Sequence, residues 1–290
     1  MIDHLQTNIY QQTLLEPLEI NGVGLHSGVN VKIKLIPAET DYGVKFVRTD
    51  LKKNNIIHAI WSNVTNTQLS TTISNNFGAN VSTVEHLMSA LSGLHIDNLR
   101  IEIDGPEVPI MDGSSKNFVE LIDKNSLKIQ NKKRKIIKIK KKIKVEKDDS
   151  SIELVPNKHF SIDFQIDFPS PLISKQSCQL QLVNGNYKTD IASARTFGFE
   201  KDVDKLRSIG LALGGSLNNA VVVGENKILN NEGLRFKDEF VRHKILDSIG
   251  DLYLAGAPIQ GYFSGNKSGH YLNNLLLKTL FSNSKNYEYI

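Results

Sequence analysis

The chain has 290 residues, 40% of them hydrophobic and 23% charged, with a formal net charge of +4, enough apolar material for one or two cored domains. No stretch reads as a membrane span, and MIDHLQTNIYQQT at the start lacks the basic opening and apolar run of a secretory signal, so cytoplasmic residence is the expectation. Cys178 is the only cysteine, which excludes an intramolecular disulfide and a cysteine-built zinc cluster.

In chain order, NGVGLHSG at 21–28 has neither dinucleotide nor phosphate-loop spacing and reads as turns with close backbone approach. VKIKLIP alternates as a strand should, and STVEHLMSALSGL reads as a helix carrying Glu85 and His86. NLRIEID is a second strand, followed by GPEVPIMDGSS, a rigid turn set by Pro106 and Pro109 in which Asp104 and Asp112 cap or turn rather than catalyse. The lysine-dense stretch that follows predicts a linker near 124–133 between two domains, 1–128 and 129–290. IIKIKKKIKVEK then alternates apolar and basic residues, the pattern of a strand with one wet face. That run also raises a rival class, a binder of nucleic acid or anionic membrane, but no aromatic residues are interleaved for base stacking. SIELVP and FSIDFQIDF continue the strands, and LGGS at 213–216 reads as another turn. A largely buried helix is predicted from Phe236 through LDSIGDLYLAG, with Phe240, Val241, Ile245, Leu246, Ile249 and Leu252 at helical intervals, and HYLNNLLLKTL forms a last helix. Strands alternating with helices favour α+β layers, and no internal repeat is evident.

The chemistry concentrates in RHKILDSIGD. His243 and Asp247 are four residues apart, which stacks an imidazole and a carboxylate on one helical face where both can reach one metal ion. A catalytic zinc commonly has three protein ligands, so a third must come from elsewhere, and His86, one of only eight histidines, directly follows a candidate base, Glu85. Asp247 and Asp251 lie on an otherwise apolar helix and need partners, because an unpaired buried carboxylate is costly. A metal and a histidine would serve; the plainer alternative is surface ion pairing with Arg242 and Lys244. Metal-assisted amide or ester hydrolysis is the chemistry such a set would support.

TVEHLMSALSGL, IDGPEVPIMDGSS, ASARTFGF, LGGS, GLRFKDEFVRHKILDSIGDL and NKSGHYLNNLLL, in that order, resemble the bacterial UDP-3-O-acyl-N-acetylglucosamine deacetylases of lipid A biosynthesis, from about residue 21 to 280. The resemblance implies an α+β fold of two similar domains in a β-α-α-β sandwich, a small βαβ insert near 193–223, and an active site between the domains. It implies His86, His243 and Asp247 as ligands of one catalytic zinc ion, with iron an alternative in cells, and Glu85 as general base. His270 would stabilise the oxyanion and protonate the leaving amine, Asp251 would orient and charge it, and Thr196 would help hold the oxyanion. Lys244 and Lys267 match positions near the sugar nucleotide, though a lysine at a given surface position is usually only solvated. Phe197, Phe199, Val203, Ala212, Ser216 and Val222 resemble the lining of an acyl slot, with Leu69 near the catalytic water; Asn219 is more polar than such a lining suggests. The implied partner is a UDP-linked acylated amino sugar, handled by a monomeric enzyme of a Gram-negative cell whose only membrane contact is peripheral.

Overall fold

The computed structural model describes residues 9–182 and 185–290. Two five-stranded sheets carry the fold. In the first, the order is Leu18–Val23, Asn30–Pro37, Leu99–Ile103, Val44–Arg48, Ile56–His58, antiparallel throughout except for the central pair Val44–Arg48 and Leu99–Ile103. The second sheet runs Ile143–Lys147, Ser150–Val155, Tyr262–Asn266, Ser161–Asp167, Lys175–Gln181, and again only the pair Ser161–Asp167 and Tyr262–Asn266 is parallel. Strand order and direction are therefore the same in both halves. The sequence hides this repeat because the two sheets require only the same alternation of inward apolar and outward polar residues, not the same residues.

Helices sit at matching points of the two halves. Helix α1 (Glu85–Gly93) precedes the central strand of the first sheet, and α2 (Lys116–Asn125) follows it. After a short helix, α3 (Asn186–Asp190), and the insert helix α4 (Val203–Ser208), the long helix α5 (Glu239–Tyr253) precedes the central strand of the second sheet and α6 (His270–Phe281) follows it. Helix α5 is buried almost throughout, as its apolar spacing predicts, but begins at Glu239 rather than Phe236. Helices α1 and α5 cross with their backbones touching: a Cβ at Gly250 would stand 2.0 Å from the Glu85 carbonyl oxygen. Glycine there lets the two helices approach more closely than side chains allow. The arrangement is sheet, helix layer, helix layer, sheet.

The expected linker at 124–133 is instead the end of α2 and a strand, Leu127–Lys133, paired antiparallel with Tyr10–Leu14. Lysine content suggested a linker, but exposed lysines are also what a strand with an open face carries. The single strand read in IIKIKKKIKVEK is two, Ile137–Ile139 and Ile143–Lys147, in different sheets; Ile137, Ile139, Ile143 and Val145 are buried while Lys141, Lys142 and Lys144 are exposed. The insert is a strand-helix-strand unit, with Phe197–Phe199 parallel to Val221–Val223 around α4. Among the described residues, no helix is long and apolar enough to cross a membrane.

Candidate active site

Three helices converge on one cleft. Glu85 and His86 are the first two residues of α1; His243, Asp247 and Asp251 recur every four residues along α5; His270 opens α6. All six are buried. The surface ion-pair alternative holds only for Lys244, which reaches Asp247 at 2.7 Å: Arg242 turns to Asp238, and both Asp247 and Asp251 are buried rather than on the surface.

Ligand atoms of His86, His243 and Asp247 lie within 4.8 Å of one another. Asp247 Oδ1 is 3.4 Å from His86 Nε2 and 3.3 Å from His243 Nε2, and the two imidazole rings meet edge to face at 88°. His243 Nδ1 lies 3.0 Å from the Ala194 carbonyl, an acceptor that selects the Nδ1–H tautomer and leaves Nε2 free to ligate. Burial first, and the neighbouring His86 and Lys244 next, press the His243 pKa down to about 3, against the pull of Asp247, so the ring is neutral as a metal ligand requires. Burial opposes the charge on Asp247, yet His243, Lys244 and His86 hold its carboxyl well below the usual range. Its Oδ2 accepts from Lys244 Nζ at 2.7 Å. Among the described residues, Asp247 Oδ1 has no hydrogen-bond partner although it is buried. A buried, ionised carboxylate oxygen set between the Nε2 atoms of two imidazoles is a donor set suited to a divalent cation.

A second trio surrounds this one. Asp251 Oδ2 lies 2.7 Å from His270 Nδ1 and accepts from Asn273 Nδ2 at 2.8 Å. His270 Nε2 is 3.8 Å from Glu85 Oε1. Burial works against a charged His270, but Asp251 and Glu85 carry its pKa up to about 9, so the imidazolium persists at neutral pH. Burial raises the Glu85 carboxyl above its ordinary range, and the charge of His270 counters it only in part. A carboxylate and an imidazolium thus face each other across the cleft, one able to accept a proton and the other to give one.

The cleft is also lined by Leu69, Thr196, Phe197, Phe199 and Lys244, and continues into an apolar slot bounded by Val203, Ala212, Ser216 and Val222, with a volume of about 290 Å³. Segment 194–196 is tied down at three points: Ala194 by His243, Arg195 by a buried ion pair to Glu239 at 2.8 Å, and Thr196 N by the Gly113 carbonyl at 2.7 Å. Lys267 stands apart, 3.2 Å from both Asp149 and Asp167, in a shallow pocket beside His270 that also contains Lys147 and Tyr271.

Several residues were missed by sequence reading. Phe168 meets Phe197 edge to face and Phe199 at a tilt and lines the cleft, but it directly follows a strand whose alternation marks it only as apolar. Leu25 borders the slot, together with His26, which the resemblance puts near the metal site but which by sequence is a lone loop histidine without a role, because the two glycine loops pack on each other; a Cβ at Gly214 would meet the Gly24 carbonyl at 2.2 Å. Asn219 does not line the slot: it is buried, accepts from Ser216 N and donates to the Gly214 carbonyl, so its polarity clamps a turn.

Comparison with known proteins gives the family. A profile for UDP-3-O-acyl N-acetylglycosamine deacetylases matches residues 11–282. Among curated proteins, the UDP-3-O-acyl-N-acetylglucosamine deacetylase of Syntrophus aciditrophicus is 48% identical over 96% of this chain and 88% of its own length. The enzyme of that name from Geobacter sp. is 49% identical over 94% and 89%, and that of Pasteurella multocida 47% over 97% and 93%. With a matching profile along nearly its whole length, relatives close to half identical, and a His-His-Asp cluster flanked by a buried acid and base, the chain belongs to the UDP-3-O-acyl N-acetylglycosamine deacetylase family.

Proposed function

We propose that this protein hydrolyses the 2-acetamido group of UDP-3-O-[(R)-3-hydroxyacyl]-N-acetylglucosamine, releasing acetate and the free amine, the committed step of lipid A synthesis. The observation that carries the reading is the convergence of His86, His243 and Asp247 beside the Glu85 and His270 pair. These three residues would hold one zinc ion, or iron in the cell, through His86, His243 Nε2 and Asp247 Oδ1. When bound, such an ion polarises an amide carbonyl and acidifies a coordinated water toward pKa ~7.

The remaining work belongs to the chain. Glu85 Oε1 takes a proton from the attacking water, its raised pKa suiting it to act as base near neutrality. His270, held charged by Asp251, steadies the negative charge that develops on the carbonyl oxygen and then gives its proton to the departing amine. Thr196, which lines the same cleft, supports the same oxyanion. Lys244 and Lys267 attract the diphosphate, and Lys244 also neutralises Asp247. The acyl chain runs over Leu69 into the slot between Phe197, Phe199, Val203, Ala212, Ser216 and Val222, where its methylenes leave water. A division into two domains is retained, with its boundary moved past the strand Leu127–Lys133 and the insert near 193–223 belonging to the second. A cytoplasmic monomer that meets the membrane only peripherally completes the reading.

Acetate release from that substrate by metal-analysed protein tests it, with Glu85→Ala, His243→Ala and chelator-treated samples alongside. Turnover lost in all three supports the reading. Folded, zinc-loaded wild type that is silent across several acyl lengths refutes the substrate.

A further inference from the structure

Two carboxylates, Glu85 and Asp251, flank His270 in this site, and each has one oxygen held by the same residue. The Thr71 backbone N–H donates to Glu85 Oε2 at 3.0 Å, and the Thr71 hydroxyl donates to Asp251 Oδ1 at 2.6 Å. In both carboxylates the second oxygen is the one turned to His270: Glu85 Oε1 lies 3.8 Å from Nε2, and Asp251 Oδ2 lies 2.7 Å from Nδ1. Thr71 is 1% exposed, and its carbonyl accepts from Val84 N at 3.2 Å, so it is also fastened to the start of α1. It lies 180 positions from Asp251 and 14 from Glu85, bridging the two halves of the fold at the reacting groups.

We infer that Thr71 is a positioning residue, which sets the general base and the His270–Asp251 pair in one fixed relation by holding the idle oxygen of each carboxylate. The inference rests on the deacetylase reading for the reaction it serves, but its geometry is independent of the substrate. A carboxylate held at one oxygen keeps its plane, so its other oxygen keeps its aim; released, it rotates, and small misalignments at a proton-transfer centre are costly in rate. Threonine suits the role because its branched Cβ restricts rotation about χ1, keeping the hydroxyl on Asp251 while the main chain serves Glu85. A buried threonine could instead merely satisfy Asp251 and stabilise the fold, and the two roles separate experimentally.

The test compares Thr71→Val, which keeps the shape and the backbone N–H but removes the hydroxyl, with Thr71→Ser, which restores the hydroxyl. Steady-state acetate release, thermal melting, metal content and the ¹⁵N–¹H signal of the His270 Nδ1 proton are recorded for each zinc-loaded protein. The expected result is a kcat about tenfold or more lower in Thr71→Val with KM changed less than about twofold, metal content unchanged, and recovery to within about threefold in Thr71→Ser. The Nδ1 proton signal should shift or broaden in the valine protein and return in the serine protein. Thr71→Val with kcat within about twofold of wild type, or Thr71→Ser as slow as Thr71→Val, overturns the inference while leaving the deacetylase reading intact. Silence of the wild type itself refutes that reading and takes the kinetic role of Thr71 with it.

Discussion

Replacing Asp251 by asparagine keeps the shape of the side chain and removes the charge that carries His270 up to about 9 from an ordinary 6.5. With that charge gone, burial works against the imidazolium and only Glu85 and Asp247 still favour it, so the pKa should fall by roughly 2 units or more. Near pH ~7.5 wild-type His270 is almost wholly protonated, whereas a group titrating at ~6.5 is about one-tenth protonated, a loss of about tenfold in kcat from titration alone. Further loss comes from the released ring. The assay is the pH profile of kcat for Asp251→Asn: the alkaline limb, expected near 9 in wild type, should move to ~7 or below, and activity should recover partly on acidification. Stability carries the same signature. A folded pKa raised above the unfolded value stabilises fully below pH ~6.5, and that contribution, about 3 kcal/mol for the wild-type shift, is lost as pH climbs through about 9. Urea melts of the wild type should therefore weaken across this window more than melts of Asp251→Asn. An alkaline limb that stays near 9 in the variant, with kcat lowered equally at every pH, refutes the reasoning: Asp251 would then orient His270 without charging it.

Gly250→Ala forces a methyl into the Glu85 carbonyl and should cost about 3 kcal/mol or more in urea denaturation, with activity falling as α1 is pushed away; a cost under ~0.5 kcal/mol contradicts the close helix crossing. Arg195→Met leaves Glu239 buried without its partner and should destabilise by about 3–5 kcal/mol, with kcat reduced through Thr196; a melt unchanged from wild type counts against it. Val222→Phe narrows the slot and should lower kcat/KM about tenfold for long acyl chains while sparing short ones, so equal loss at all lengths argues against this acyl path. Zinc added to chelated protein should raise the melting temperature, by the equivalent of about 4 kcal/mol at 1,000-fold excess over Kd, and Asp247→Ala should abolish the rise; a rise that survives in Asp247→Ala means the ion binds elsewhere.

Local pattern carried a good share of this protein. Alternation marked the strands at 31–37, 99–103 and 161–167, and helical spacing marked α1, α5 and α6, because these periods follow from one face being buried. The same spacing put His243, Asp247 and Asp251 on one line of α5, and His86 beside Glu85 at the head of α1. Exposed lysines were ambiguous: 127–133 looked like a linker because composition does not say whether a polar stretch pairs. What linear order could not supply is everything that depends on which distant groups meet. The matching topology of the two sheets, the Gly250 crossing that brings α1 against α5, the edge-to-face contact of Phe168 with the insert, and the hold of Thr71 on Glu85 and Asp251 all join residues 14 to 180 positions apart. Secondary structure answers to neighbours a few residues away, so one strand or helix is written locally. A catalytic site answers to distances of about 3 Å between side chains from different elements, and those exist only once the helix layers have packed.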